Sequence, residues 1–162
     1  MSKTADGNAS TILAMTSLTS KDPAGSENEP LVALQLQAPF SLDTWEVIAD
    51  PATTGGGPDT ARVRLVKTYS GPDLVAFASG HALTTQGPGG ASYVAQERIT
   101  GTLAGRQGSF VLEHHASMGE GHPTVMEASV VPGSGTGALT GILGTGRVAH
   151  ELLTLDVYLP SV

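Results

Sequence analysis

Residues Ser92 to Ser117 read SYVAQERITGTLAGRQGSFVLEHHAS, and the reading of this stretch decides the fold. Two runs, Ser92 to Leu103 and Gly108 to Ser117, flank Ala104-Gly105-Arg106-Gln107. Successive side chains of a strand point to opposite faces. Tyr93, Ala95, Glu97 and Ile99 therefore share one face, with Gln96 and Arg98 on the other. Phe110, Leu112 and His114 also share a face, opposite Ser109, Val111, Glu113 and His115. Two period-two runs around a Gly-containing connection spell an antiparallel hairpin. The Phe110 face is the more apolar and is expected inside.

The same pattern extends in both directions. Upstream, Leu31 to Leu36 and Phe40 to Ile48 read as one strand bent at Pro39, followed by a loop over Asp50 to Asp59. Arg62 to Tyr69 and Leu74 to Thr85 are strands separated by the turn Ser70-Gly71-Pro72-Asp73, and Gln86 to Gly90 is a further turn. Downstream, Met118 to Gly121 closes a hairpin and Thr124 to Val131 is a strand that ends at Pro132. Gly133 to Gly137 is a loop, and Ala138 to Leu143 and Leu152 to Leu159 are the last strands. Evenly spaced strands with turn signals and no long helix predict an antiparallel barrel or sandwich of about eight strands. Closure into a barrel would remove exposed sheet edges. Residues 1–30 are polar and read as a flexible N-terminal arm, and residues 31–162 as the β domain. Within the arm, Thr11 to Leu18 has the pattern of a short strand or helical turn.

Composition agrees with this and excludes several functions. The 162 residues include 21 Gly, 10 Pro and no Cys, so disulfides, zinc thiolates and a cysteine nucleophile are excluded. Eight basic against 15 acidic residues give a net charge of −7, which disfavours binding to nucleic acid. No apolar run is long enough to span a bilayer, and Ile12 to Met15 is too short for a signal-peptide core. A cytoplasmic protein with no membrane partner is expected. The glycines of Gly133 to Gly137 lack the spacing and following helix of a dinucleotide loop, and Gly141 to Gly146 lacks the Lys and Ser/Thr of a P-loop. His114 and His115 are adjacent on a strand and face opposite ways, so no metal site is expected. Cofactors are expected to be absent.

Two segments carry a wider resemblance. Tyr93 to His114 and Val130 to Gly141, with Phe40, Trp45, Lys67 and Tyr69-Ser70-Gly71 upstream in the same order, resemble an uncharacterised bacterial family. That family is known as a domain of unknown function and looks like the allene oxide cyclase barrels. The resemblance spans about Leu34 to Leu159 and implies an all-β fold. The expectation from this resemblance is a single antiparallel eight-stranded β-barrel of allene oxide cyclase-like, lipocalin-like calycin architecture, with a tendency to self-associate. Two departures stand out. His115 replaces a small or polar residue, and Arg147 to Leu153 is shorter and more apolar than is usual. An altered barrel mouth suited to a specialised ligand is expected.

The candidate site follows from the inward faces. If both are interior, Tyr93, Glu97 and His114 converge in a cavity and are the catalytic candidates. A carboxylate there is expected to have a raised pKa and to exchange protons with His114. Trp45, Tyr69, Phe110, Leu112, Arg98 and Met126 are candidates for substrate contacts. The bland alternatives are a buried Glu97–Arg98 or Glu97–His114 pair that only fixes the barrel, and Trp45 and Phe40 as core packing. The expected function is a small-molecule barrel, an isomerase or cyclase that folds an apolar intermediate such as a polyketide. A non-catalytic carrier and a purely structural oligomer are the alternatives. Exterior apolar residues, Val63 and Leu65 or their opposite-face neighbours, would drive oligomerisation.

Overall fold

The computed structural model describes residues 30–48 and 57–161. Thr11 to Leu18, the rest of the N-terminal arm and most of the Asp50 to Asp59 loop lie outside the described residues. Nine strands follow in chain order: β1 (Leu31–Ile48), β2 (Asp59–Ser70), β3 (Leu74–Gly87), β4 (Gly90–Leu103), β5 (Arg106–Gly119), β6 (His122–Val130), β7 (Thr136–Gly137), β8 (Leu143–Ala149) and β9 (Leu152–Pro160). They form one antiparallel sheet in the order β4-β3-β2-β1-β9-β8-β6-β5-β7, and pairing of β4 with β5 closes it into a barrel-like ring. Eight strands make the ring. The two-residue β7 lies against β5 at Gly108 and Ser109. Among the described residues no helix is long and apolar enough to cross a membrane.

Local sequence sets the register. β4 and β5 meet through a two-residue turn, since Leu103 lies opposite Arg106. Ala104 and Gly105 both have positive φ, 47° and 79°, as the tight hairpin turn requires. The β8–β9 turn is built the same way from His150 and Glu151, at 52° and 59°, neither of which is a glycine. The Ala138 to Leu143 strand is a correction. Residues 138–142 form turns and the strand begins at Leu143, because Leu139 and Ile142 are fully buried in the core instead of pairing along a sheet.

Two features shape the interior. Strand β1 has a bulge between Leu42 and Thr44. Leu42 lies opposite Lys67 and Trp45 opposite Leu65, so the extra residue turns Phe40, Leu42, Trp45 and Val47 all to the inner face. Beyond Leu74, the middle of strand β3 presents only small residues inward: Ala76, Ala78, Gly80 and Ala82. A Cβ at Gly80 would lie 2.8 Å from the Glu97 Cβ and 2.0 Å from the Gln96 carbonyl. The bare strand leaves a gap across which side chains of β2 and β4 can meet.

The core lies toward one end. Leu36, Tyr69, Leu74, Ile99, Leu103, Phe110, Leu112, Leu153, Leu155 and Leu159 are sealed there, with Leu139 and Ile142 of the β7–β8 segment packed among them. The chain entering that segment is fastened by hydrogen bonds from the Val111 amide to Ser134 Oγ (3.0 Å) and from the Ser109 amide to Thr136 Oγ1 (3.0 Å). Val63 and Leu65 are buried in a second, smaller cluster with Ala82 and Ala95. This corrects their expected place on the exterior. They share the inward parity of Lys67 and Tyr69, while Arg62 and Arg64 take the outer face. The outward apolar side chains instead include Val75, Phe77, Leu83 and Val94.

Candidate functional site

A polar layer crosses the barrel between the two apolar clusters. Glu97 of β4, Lys67 of β2 and His114 of β5 are each buried. The Lys67 ammonium donates to Glu97 Oε1 at 2.8 Å, reaching across the small inner face of β3. Tyr69 donates its hydroxyl to the same oxygen at 3.2 Å. His114 Nε2 lies 3.4 Å from Oε1 without the alignment of a hydrogen bond. Among the described residues, Glu97 Oε2 and His114 Nε2 are buried with no hydrogen-bond partner. The other ring nitrogen, Nδ1, is 3.1 Å from the Tyr93 hydroxyl, and the two rings meet edge to face at 5.3 Å. Lys67 also lies over the Phe40 ring, 4.6 Å from its centre.

The charges follow from these contacts. Burial pushes the Glu97 carboxyl up, but the His114 ring and the Lys67 ammonium outweigh it and hold the group below the ordinary carboxylate range. The expected raised carboxyl is thereby corrected: a cation shares its site, so Glu97 is a fixed anion. Burial, with the Glu97 charge behind it, raises the phenols of both Tyr69 and Tyr93. Both stay protonated at neutral pH.

Above this layer the interior is open. A cavity of about 350 Å³ is lined by Phe40, Trp45, Lys67, Tyr93, His114 and Met126 among others. It adjoins a second lobe of about 310 Å³, and the two share Trp45, Tyr93, Ala116 and Met118. A larger concavity, about 770 Å³, runs over the outer face past His81, Gln96, Glu113, His115 and Glu127. Neither Lys67 nor Glu97 lines it, whereas Lys67, Tyr93 and His114 all line the inner cavity, so the inner cavity is the better site.

The sequence candidates separate by height in the barrel. Tyr93, Glu97 and His114 converge as one chain of contacts. Trp45 and Met126 line the cavity. Tyr69, Phe110 and Leu112 are sealed below the polar layer and reach the cavity only through their neighbours. Arg98 faces outward, with Ser109 Oγ at 3.4 Å, and is neither a cavity residue nor the partner of Glu97. Alternation sends neighbours on a strand to opposite faces, so Glu97 and Arg98 cannot pair. Lys67 is the residue that reading by charge overlooks. It was visible as the one cation in the inward series Val63, Leu65, Lys67, Tyr69.

Among the described residues, the fold is a closed, barrel-like antiparallel ring with a buried Lys67–Glu97 ion pair beneath a largely apolar cavity. The sequence profile of "Protein of unknown function (DUF3224)" matches residues 36–153, and the chain belongs to that family. A crystal structure of a DUF3224 protein of unknown function from Shewanella oneidensis MR-1 is similar, with a TM-score of 0.71 and 33% identity. The match covers 80% of this chain and 99% of that one. No curated protein matches.

Proposed function

We propose that the protein is a cofactor-free isomerase or cyclase that folds a small, apolar, carbonyl-bearing intermediate, such as a polyketide, in its cavity. The observation that carries this reading is the chain Tyr93 hydroxyl, His114 Nδ1 and Nε2, Glu97 Oε1, with its phenol end facing an apolar cavity. This is the logic of a hydroxyl, an imidazole and an orienting carboxylate. With the His114 proton on Nε2, toward Glu97, Nδ1 accepts from the phenol. Tyr93 can then take a proton from substrate while passing its own to the ring. With both nitrogens protonated, the phenol hydrogen is free to donate to a substrate carbonyl. Either way one proton moves at the substrate without bulk water. Such transfer contributes about 10²–10⁴ in rate. Confinement of a flexible chain in the right fold adds more. The allene oxide cyclase barrels that the sequence resembles suggest this control by shape.

The test begins with small molecules retained from a cell extract, identified by mass spectrometry and then used as substrates. Tyr93→Phe and His114→Ala are expected to lower turnover by about 10²–10⁴ while binding persists. Unchanged turnover in both would remove the proton relay. If Ala116→Trp, which fills the junction of the two lobes, then abolished turnover, catalysis by shape alone would stand. The second reading, a non-catalytic carrier, is favoured by the Lys67–Glu97 contact, which ties Glu97 into a structural ion pair. A carrier would retain its ligand unconverted. A cytoplasmic location and self-association through Val75, Phe77, Leu83 and Val94 belong to the same proposal.

A further inference from the structure

The aromatic residues of this chain are few and unevenly placed. The sequence holds one Trp, three Tyr and three Phe, and three of those seven, Phe40, Trp45 and Tyr93, line one cavity of about 350 Å³. Two of the four Met, Met118 and Met126, line it too. Aromatic faces and thioethers attract π systems beyond their apolar area. At the floor of the same cavity stand polar donors. Among the described residues, Lys67 Nζ has a single hydrogen-bond partner, Glu97, which leaves donor capacity unused.

Trp45 is the unusual member. Its register opposite Leu65 directs it inward, yet it is 50% exposed. Among the described residues, nothing covers this inward indole on its cavity side. It faces inward only because of the bulge, and the bulge is clamped by one residue. Asp43 Oδ1 accepts from Ser41 Oγ at 2.7 Å, and Oδ2 accepts from Thr68 Oγ1 at 2.6 Å. Both oxygens of the extra residue are thus tied, one within β1 and one to β2. If Asp43 paired in regular register instead of bulging, strict alternation would put Phe40 and Trp45 on opposite faces.

We propose that the cavity selects a planar, conjugated carbonyl compound, its π face on Trp45 and its oxygen toward the Tyr93 and Lys67 donors, and that Asp43 is the positioning residue that makes Trp45 a wall of the site. This rests on the functional reading above and narrows its substrate class. A flexible aliphatic chain would fill the same volume but would leave the indole and thioether surfaces without a π partner.

Trp45 is the single tryptophan, so its emission reports the site directly. The probes are benzylideneacetone, planar and conjugated, and its fully saturated cyclohexyl counterpart. Benzylideneacetone is expected to quench Trp45 saturably and, by calorimetry, to bind about tenfold more tightly than the saturated ketone. Trp45→Phe should keep that preference in calorimetry and Trp45→Leu should lose it. Asp43→Ala should keep the β circular dichroism, shift the Trp45 emission and lose the preference. Equal affinity for the two ketones, or an Asp43→Ala protein with unchanged emission and preference, overturns the proposal. So does Trp45 emission that shifts with protein concentration alone, which would mean that a second copy covers the mouth. Tyr93→Phe separates the two readings: turnover lost with quenching and the preference for the planar ketone kept upholds the wall, turnover kept with both intact removes the relay and leaves the wall, and loss of the preference in a parent protein that still turns over its substrate removes the wall and leaves the relay.

Discussion

Below the Glu97 layer, the inward side chains Phe110, Leu112, Leu153, Leu155 and Leu159 have no exposed surface at all. Above it, Leu42, Trp45, Val47 and Met118 face a cavity and stay half exposed. Both ends are apolar and belong to the same strands. The difference lies in what fills them. The lower end receives Leu139 and Ile142 from the β7–β8 segment, which supplies the side chains that close it. The upper end receives no such insert among the described residues. Among the described residues, one ring thus carries a packed end that holds the fold and an end left open, with the ion pair at the boundary.

That boundary is where the largest effect is expected. Glu97→Gln leaves the Lys67 ammonium buried without its counter-charge, which costs about 3–5 kcal/mol. Denaturant unfolding of the variant checks it. Replacing both partners together, Lys67→Met with Glu97→Leu, removes the unpaired charge and is expected to be neutral or stabilising. If the double variant lost as much as the single one, the layer would be essential to packing and the division into two ends would fail. The sign with pH follows from the lowered Glu97 carboxyl. Its stabilisation is fully present above the unfolded carboxyl's pKa, about 4.3, and is lost as pH falls through the lower folded value. A denaturation midpoint that falls on acidification, and falls less in the double variant, is the expected result.

The packed end comes next. Phe110→Ala opens a void where nothing is exposed to relax into it, at a cost of about 3–5 kcal/mol. The mouth should stay intact, so Trp45 emission in the folded variant should match that of the parent. Altered emission would show that the two ends are coupled.

How much of this division was legible in the sequence can be judged residue by residue. Alternation alone placed Tyr93, Glu97 and His114 on inward faces, because a strand's period of two survives in any register. It also separated Arg98 from Glu97. The charge partner was harder: Lys67 sits on another strand, two places round the ring, and only the β2–β3–β4 register brings it to Glu97. The bulge at Asp43 was illegible, since one unpaired residue looks like any other until a partner strand is present to slip against. The loop over residues 138–142 misled for a related reason. Leu139 and Ile142 suggested a strand, but their apolar character serves the bottom of the core.

A smaller effect is expected at Gly80. A Cβ there would press on the Glu97 Cα and Cβ, at 2.6 and 2.8 Å, and on the Gln96 carbonyl, all of which belong to the neighbouring strand. Gly80→Ala should therefore cost about 1–3 kcal/mol, as overpacking does. It should also weaken the Lys67–Glu97 contact that spans this strand. Combined with the Lys67→Met, Glu97→Leu change, the Gly80 penalty should shrink if part of it acts through the ion pair. A penalty that simply adds would locate the strain in the backbone of β3 and β4.

The smallest effect is expected where the side chain is largest. Trp45→Ala removes the one indole of the chain, yet that indole is half exposed and closes no packed volume among the described residues. Its loss should change stability by less than about 1 kcal/mol, within the range of surface substitutions. Phe110→Ala removes a smaller ring at several times that cost. The contrast follows from what lies on the far side of each ring, protein for Phe110 and cavity for Trp45. A Trp45→Ala penalty close to that of Phe110→Ala would mean that the mouth is filled in solution. In that case the midpoint of unfolding should rise with protein concentration if a second copy fills it, and stay constant if the chain's own residues do.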